Sequence, residues 1–550
     1  MKFLKRTHIL AICIIFLSNI SVFAGDISIR ITKKYLNLPV SHKVDRYRMS
    51  FEIDGKQERS FVIRLAPGEA DYWVFCDVSP FKGKTIKIQY DGDASGLSKI
   101  YQDDNIEGWE TLYREKNRPQ YHFTTQRGWV NDPNGLIYYD GEYHLFYQHN
   151  PYERDWENMH WGHAVSKDLV HWQQLPEALY PDHLGTMFSG SAVMDYDNTA
   201  GYNKGNTPAM IAFFTAASPD KQVQGMAYSL DKGRTWTKYD KNPLIDSKVK
   251  WNSQDTRDPK VFWYAPSKHW VMVLNERDGH SIYTSKNLKT WTYESHVTGF
   301  WECPELFELA IDGNKNNTKW VMYDASGTYM LGKFDGKVFT PELGKYYYTA
   351  GSIYAAQTFT NIPDSDGRRI QIGWGRIQQP DMPFNGMMML PTELTLRTTK
   401  DGPRLFNIPV KETEQLFTLM REWSDLTSGD ANSKMKEFYE SDCLYIKTTI
   451  KLSHATNAGF NLSGQRIIGY DMNSNMLNDM FYSPQDMTSM ELSAGIYVDR
   501  TSIEVFIDDG IYSYSMERKP DEKNREGFHF WGNNIEVKKL EVYSVKSIWQ

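Results

Sequence analysis

The sequence predicts an all-β chain of 550 residues, in which a five-bladed β-propeller lies between a small N-terminal β-rich domain and a C-terminal β-sandwich. Three observations predict it. Short runs rich in Val, Ile, Tyr, Phe and Trp, bounded by Gly, Pro, Asn and Asp, recur along the chain, the pattern of half-buried strands. A weak repeat runs through the middle: SKDLVHW ending at Trp172, SLDKGRTW at Trp236 and SKNLKTW at Trp291 are spaced by roughly 55 to 64 residues, which suits one four-stranded blade with its loops. Long amphipathic helices are scarce, and Val410 to Arg421 is the best single candidate.

Taken in order, residues 1–24 begin with Lys2, Lys5 and Arg6, continue through an apolar run from His8 to Ser18, and end in Val22-Phe23-Ala24. A basic start, a short apolar middle and small residues before a cut describe a secretory signal peptide, so a periplasmic or extracellular protein is expected. The apolar run is short for a membrane anchor, and bulky Ile12 before Cys13 argues against lipidation. Residues 25–112 hold strands such as Ser60–Arg64 and Thr85–Tyr90, punctuated by Ala66-Pro67-Gly68 and Asp91-Gly92-Asp93, and read as a small packing or binding module. Residues 118–400 are the propeller. In each repeat the Asp or Asn is expected to tighten a turn while the Trp packs between blades. Residues 407–550 alternate again, as in Cys443–Ile450 and Ser502–Ile507, and Asp508-Asp509-Gly510 closes a hairpin, so a sandwich is expected.

Composition narrows the chemistry. A net charge of −7 over this length, with no long basic block, disfavours nucleic acid. The 34 Tyr and 17 Trp suit flat surfaces that stack on sugar rings. Cys76, Cys303 and Cys443 are an odd set at wide separations, giving neither a disulfide framework nor a metal-ligand spacing. No metal or organic cofactor is expected, and the reaction must come from ordinary side chains.

Glycosidic cleavage needs two carboxyl groups, and 69 acidic residues make context the selector. Asp132 lies in WVNDPNG before the strand Leu136–Tyr139. Asp-Pro and Asn-Gly alone describe a surface turn, but Trp129 and the aromatic-polar run YHLFYQHNP from Tyr143 suit a sugar pocket. Asp258 follows Arg257 in RDP, and a neighbouring guanidinium is expected to hold it ionised. Glu302, flanked by Trp301, Cys303 and Pro304, is expected to be desolvated and raised in pKa, with Glu305 as its competitor. In a propeller, equivalent positions of different blades converge on the central channel, so the three can share one pocket.

The segments WVNDPNG, RDP and WECPELF, with YQHNP, NMHWGHAVSKDLVHW, FSGSAV and DRTSIEVFIDDG in the same order, resemble glycoside hydrolase family 32, the invertases, levanases, inulinases and fructan exohydrolases. The resemblance runs from about Tyr121 to the C-terminus and implies a propeller followed by a sandwich. It further implies a retaining hydrolase that releases fructose from β-fructosides, with exo action favoured; a transfructosylase or a non-catalytic fructan-binding propeller are the alternatives. By this resemblance Asp132 is the nucleophile, Glu302 the acid/base and Asp258 the transition-state stabiliser. Asn131, Gln148, Trp156, Phe188, Ser189, Arg257 and Tyr354 match pocket positions, and Trp129 and Trp374 are apolar walls. One departure stands out: Ser352 occupies a position, two before Tyr354, that is often acidic in the family. A retaining mechanism expects the two working carboxyl groups about 5–5.5 Å apart.

Overall fold

A computed structural model describes residues 25–253, 255–452, 457–478, 480–481, 490–518 and 527–549, so the expected signal peptide lies outside the described residues. The middle of the chain is a ring of five antiparallel blades of four strands each. Their innermost strands are Gly128–Tyr139, Thr186–Asp195, Thr256–Tyr264, Glu305–Ile311 and Ile353–Thr358. The ring closes by hydrogen bonds rather than by a disulfide: Tyr138 N donates to Thr360 O at 3.0 Å and Thr360 N to Leu136 O at 2.9 Å, tying blade five to blade one.

The repeat has a physical basis that its sequence foreshadows. Asp168, Asp231 and Asn287 each accept backbone N–H groups of the turn that follows, as in Asp168 Oδ1 from His171 N at 2.8 Å. The turn then passes through a left-handed residue, Leu169, Gly233 or Leu288, whose carbonyl accepts the indole N–H of Trp172, Trp236 or Trp291. The indole of Trp236 meets Phe146 of the preceding blade at 5.6 Å, and that of Trp291 meets Phe213 at 5.8 Å. Trp236 and Trp291 thus each seal one blade onto the last.

Ahead of the propeller, a sheet that includes Thr85–Tyr90, Tyr47–Ile53 and Lys56–Ile63 faces a sheet of Tyr72–Asp77, Tyr35–Val40 and Tyr101–Asp103 over a core of Leu36, Leu38, Phe51 and Ile88. Behind it, two larger sheets enclose Ile446, Phe460, Ile496 and Val505. The last unit is bolted to the propeller by charge. His122 Nδ1 lies 2.7 Å from Asp499 and Nε2 2.8 Å from Glu504, all three buried. Asp499 and Glu504 are the first and sixth residues of the motif DRTSIEVF, so this segment does interface work.

The helix expected over Val410 to Arg421 does not form. Lys411–Leu416 is a 3₁₀ turn and Phe417–Thr427 is a strand paired with Glu536–Val545. The apolar spacing there is real, but Leu416 is buried at the junction between propeller and sandwich while the strand beyond it is mostly solvent-facing. Among the described residues the three cysteines are unbridged: Cys76 is in the N-terminal core, Cys303 in the central pocket, and Cys443 beside Asp499.

Candidate active site

The pocket residues are delivered by irregularities in otherwise regular strands. In blade one the pairing slips between Val130 and Pro133 and again between Asn134 and Ile137. Asp132 therefore sits on a bulge inside the innermost strand, and the Asp-Pro and Asn-Gly pairs lie within that irregular strand rather than in a surface turn. Blade two slips between Phe188 and Gly190, blade three between Arg257 and Lys260, and blade five between Tyr354 and Gln357. A bulge adds a residue, bends the strand and re-aims a side chain, so Asp132, Ser189, Asp258 and Tyr354 turn inward from four blades. Gly190 is required for the second of these, since a Cβ there would lie 1.9 Å from Phe213 O. Blade four contributes Glu302 and Cys303 from the loop entering its first strand, both with positive φ. Such left-handed non-glycine residues cost free energy and persist where surrounding bonds hold them. Here Glu302 N donates to Asn275 Oδ1 and Cys303 N to Asp258 Oδ2, each at 3.0 Å.

Cys303 bridges two of the three carboxylates. The Cys303 thiol lies 3.5 Å from Asp258 Oδ2 and 3.8 Å from Asp132 Oδ2. Ser189 Oγ donates to Asp132 Oδ2 at 2.7 Å. Burial lifts Asp132 above the ordinary carboxylate range; the Ser189 and Asn131 bonds oppose it, and the charge of Glu302 adds to it. Asp258 rises further, to about 7, chiefly through burial and despite Arg257. Burial and the neighbouring carboxylates hold the Cys303 thiol far above its usual value, so it stays protonated.

Two expectations about this cluster are corrected. Arg257 was expected to hold Asp258 ionised, but its Nε is 3.9 Å from Asp258 while its Nη2 reaches Glu302 Oε1 at 2.6 Å. The guanidinium serves the neighbouring blade, and burial wins at Asp258. Glu302 was expected to be sheltered by apolar neighbours. Trp301 instead faces solvent, and the Glu302 carboxylate is gripped by Arg257 on one oxygen and by the Tyr354 hydroxyl on the other at 2.5 Å. Its competitor Glu305 is 1% exposed and ion-paired to Lys260 at 2.7 Å, which removes it from the pocket chemistry.

The walls collect the remaining predicted residues. Trp129 donates its indole N–H to Asn131 Oδ1 at 2.9 Å and meets Trp374 edge-on at 5.8 Å, and Trp374 in turn meets Tyr354 at 6.5 Å. Trp156, 50% exposed, packs against Phe188 at 6.0 Å. Gln148 is buried and donates to Met187 O at 2.9 Å. With its amide turned to face Ser189 and Pro133 O, Asn134 accepts from Gln148 at 3.0 Å and links the two. Ser352 does not support Glu302: its backbone N–H donates to Ser515 O of the sandwich at 2.8 Å, and its carbonyl accepts from Arg376 N. Arg376 also covers the Tyr354 ring at 4.6 Å. Asn275, Asn134, Thr215, which holds Asp258 N, and Cys303 were not singled out from sequence. Asn134, within WVNDPNG, and Cys303, adjacent to Glu302, carried a local signal.

A family model described as the glycosyl hydrolases family 32 N-terminal domain matches residues 122–409. Levanase of Bacillus subtilis (strain 168) is 41% identical over 490 residues, spanning 80% of this chain and 72% of that protein. The chain belongs to glycoside hydrolase family 32. Extracellular exo-inulinase inuE of Aspergillus niger is 34% identical over 523 residues, covering 80% of this chain and 96% of its own length. Among solved structures, exo-inulinase from Aspergillus awamori superposes with a TM-score of 0.68 at 27% identity, over 80% of this chain and 100% of that one. The family 32 fold, propeller plus sandwich, is therefore common to this chain and these relatives, and the bulged inner strands carry its pocket.

Proposed function

We propose that this family 32 enzyme is a secreted, retaining exo-fructosidase that releases fructose from β-fructosides such as levan, inulin or sucrose. The observation that carries the reading is the meeting of Asp132 and Asp258 at the Cys303 thiol, with Glu302 near enough for its charge to act on Asp132 and held by Arg257 and Tyr354. The names of the relatives, levanase and exo-inulinase, support the substrate class.

The chemistry divides among the groups. A fructosyl unit enters with its anomeric carbon toward Asp132. Glu302 protonates the leaving glycosidic oxygen as the bond breaks, and the ring oxygen shares the developing positive charge. Tyr354 assists by reversing its hydrogen bond: its hydroxyl donates to the carboxylate and accepts from the protonated acid. Asp132 captures the anomeric carbon as a covalent ester, and its bond from Ser189 orients the attacking oxygen. Asp258, ionised once the positive sugar is present, steadies the cation and binds fructose hydroxyls. A water molecule then gives its proton to Glu302 and its oxygen to the anomeric carbon, releasing fructose with its configuration retained. Trp129 and Trp374 form one apolar wall and Trp156 with Phe188 the other, bracketing a sugar ring.

Secretion is supported by the basic, apolar and small-residue order of residues 1–24 and by the extracellular naming of the Aspergillus niger relative. Among the described residues no helix is long and apolar enough to cross a membrane. A time course on levan, inulin and sucrose tests the reading. Free fructose as the first product is expected. Oligofructosides appearing first would overturn exo action, and silence on all three substrates would overturn hydrolysis.

A further inference from the structure

A cleft of about 700 Å³ separates the N-terminal sheets from the propeller, lined by Asp71, Tyr72 and Trp73 on one side and Arg127, Arg154 and Asp381 on the other. Its propeller wall is continuous with the pocket wall. Arg127 lies two residues before Trp129, and Arg154 two before Trp156. Pro383, also in the cleft, accepts from Gly128 N at 3.0 Å, and Phe384–Asn385 then pairs with Gly128–Trp129. The cleft therefore opens beside the fructose pocket.

The N-terminal sheets hold that cleft in a fixed shape by gripping residues 152–158, the loop that carries Arg154 and Trp156. Arg46 and Arg64 reach Glu153, whose side chain is fully buried, at 2.6 and 2.8 Å. Val62 exchanges two hydrogen bonds of 2.9 Å with the Asn158 amide, and Phe61 stacks on Tyr152 with ring centroids 3.7 Å apart. Two buried charge contacts, an amide pair and a ring stack on one seven-residue loop make the two walls a single rigid unit.

The lining points to a neutral, polyhydroxylated ligand. His42, Lys43, Arg127 and Arg154 are balanced by Asp71, Glu107 and Asp381, so neither an anion nor a cation is favoured. Arg127 is buried and spends its guanidinium on Gln126 O and Glu107 O, backing the wall, while the carboxylates of Asp71 and Asp381 accept and Lys43 donates, which together match hydroxyls that do both. Trp73 lines the cleft and meets Tyr101 edge-on at 5.6 Å; Tyr101 is 36% exposed, and Trp109, next to the cleft residue Gly108, is 52% exposed. Such aromatic faces suit the C–H face of a sugar ring.

We propose that this cleft is a second carbohydrate site, which holds fructosyl units of a polymeric substrate at a distance from the bond being cut, with the N-terminal sheets supplying Trp73 and Asp71. The proposal rests on the fructosidase reading. Holding the chain beside the pocket raises its effective concentration there, a benefit that a disaccharide too short to reach the cleft does not receive.

The test is the kinetics of Trp73→Ala and Asp381→Ala on levan, inulin and sucrose, alongside the migration of wild type and both variants through native gels containing levan or inulin. For the polymer that wild type cleaves, kcat/KM is expected to fall about fivefold or more through KM, with sucrose kinetics within about twofold of wild type. Gel retardation by the polymer should weaken in both variants. Unchanged polymer kinetics and retardation in both would overturn the proposal, as would an equal loss on sucrose and polymer, which marks a structural defect. Failure of the fructosidase reading is visible separately, as wild type that releases no fructose from any substrate; the retardation comparison then still decides the cleft.

Discussion

Replacing His122 with Gln should uncouple the sandwich from the propeller. His122 is buried between Asp499 and Glu504, and burial opposes its charge, yet the two hydrogen-bonded carboxylates outweigh that and raise its pKa to about 9. Asp499 moves the opposite way, below the ordinary carboxylate range, because its bond and charge contact with His122 outweigh its own burial. A rise from 6.5 to about 9 corresponds to about 3 kcal/mol in favour of the charged ring, an upper figure because the partners share it. The sign follows from the raised folded value: this stability is complete below about pH 6.5 and is lost as pH climbs through about 9. The substitution removes the cation and leaves two buried carboxylates facing one another, at a cost of about 3–5 kcal/mol. Thermal or urea unfolding between pH 6 and 9.5 measures it. Wild type should lose stability toward the alkaline end, while the variant should be weaker at pH 6 and nearly flat over the same interval. An equal alkaline slope in both proteins would refute the assignment of that slope to His122.

Three further outcomes are expected. Ser189→Ala removes a bond that opposes the upward shift of Asp132, so the acid limb of kcat/KM should move to higher pH and the plateau should fall about tenfold; an unmoved limb counts against Ser189 acting on Asp132. Arg257→Lys keeps a charge but not the two N–H groups aimed at Glu302 Oε1, and kcat should drop about tenfold or more with the melting temperature nearly unchanged. Glu305→Gln strands the buried Lys260 and should cost about 3–5 kcal/mol in unfolding experiments while leaving the KM of the surviving folded enzyme near wild type; a normal melting temperature would contradict the structural role given to this pair.

The parts of this molecule that were legible in the sequence are those encoded locally. Strand alternation marks Thr85–Tyr90 and Ser502–Ile507 with their observed bounds, and the recurring Asp-turn-Trp units mark the blades because each turn is closed by its own side chains. The three carboxylates stood out through their neighbours. What escaped notice depends on distance in space. The inward aim of Asp132 comes from slipped pairing with the strand Glu142–Asn150, and the setting of Glu302 comes from Arg257 and Tyr354, 45 and 52 residues away. The apolar shelter expected for Glu302 from Trp301 does not form, because a left-handed backbone at Glu302 and Cys303 sends adjacent side chains in different directions. Likewise the apolar spacing after Val410 serves a junction between two domains, which a periodic pattern cannot distinguish from a helix face. Linkage preference and endo or exo action follow from loop heights around the pocket, which short motifs do not encode.

During turnover Asp132 is expected to form a covalent bond to fructose. Rapid acid quench of the enzyme with a fructoside bearing a good leaving group, followed by proteolysis and mass spectrometry, tests it directly. A fructosyl adduct on the peptide containing Asp132 is expected, one that vanishes in Asp132→Asn along with about three or more orders of magnitude in kcat. An adduct on another carboxylate, or undiminished turnover in Asp132→Asn, would contradict it.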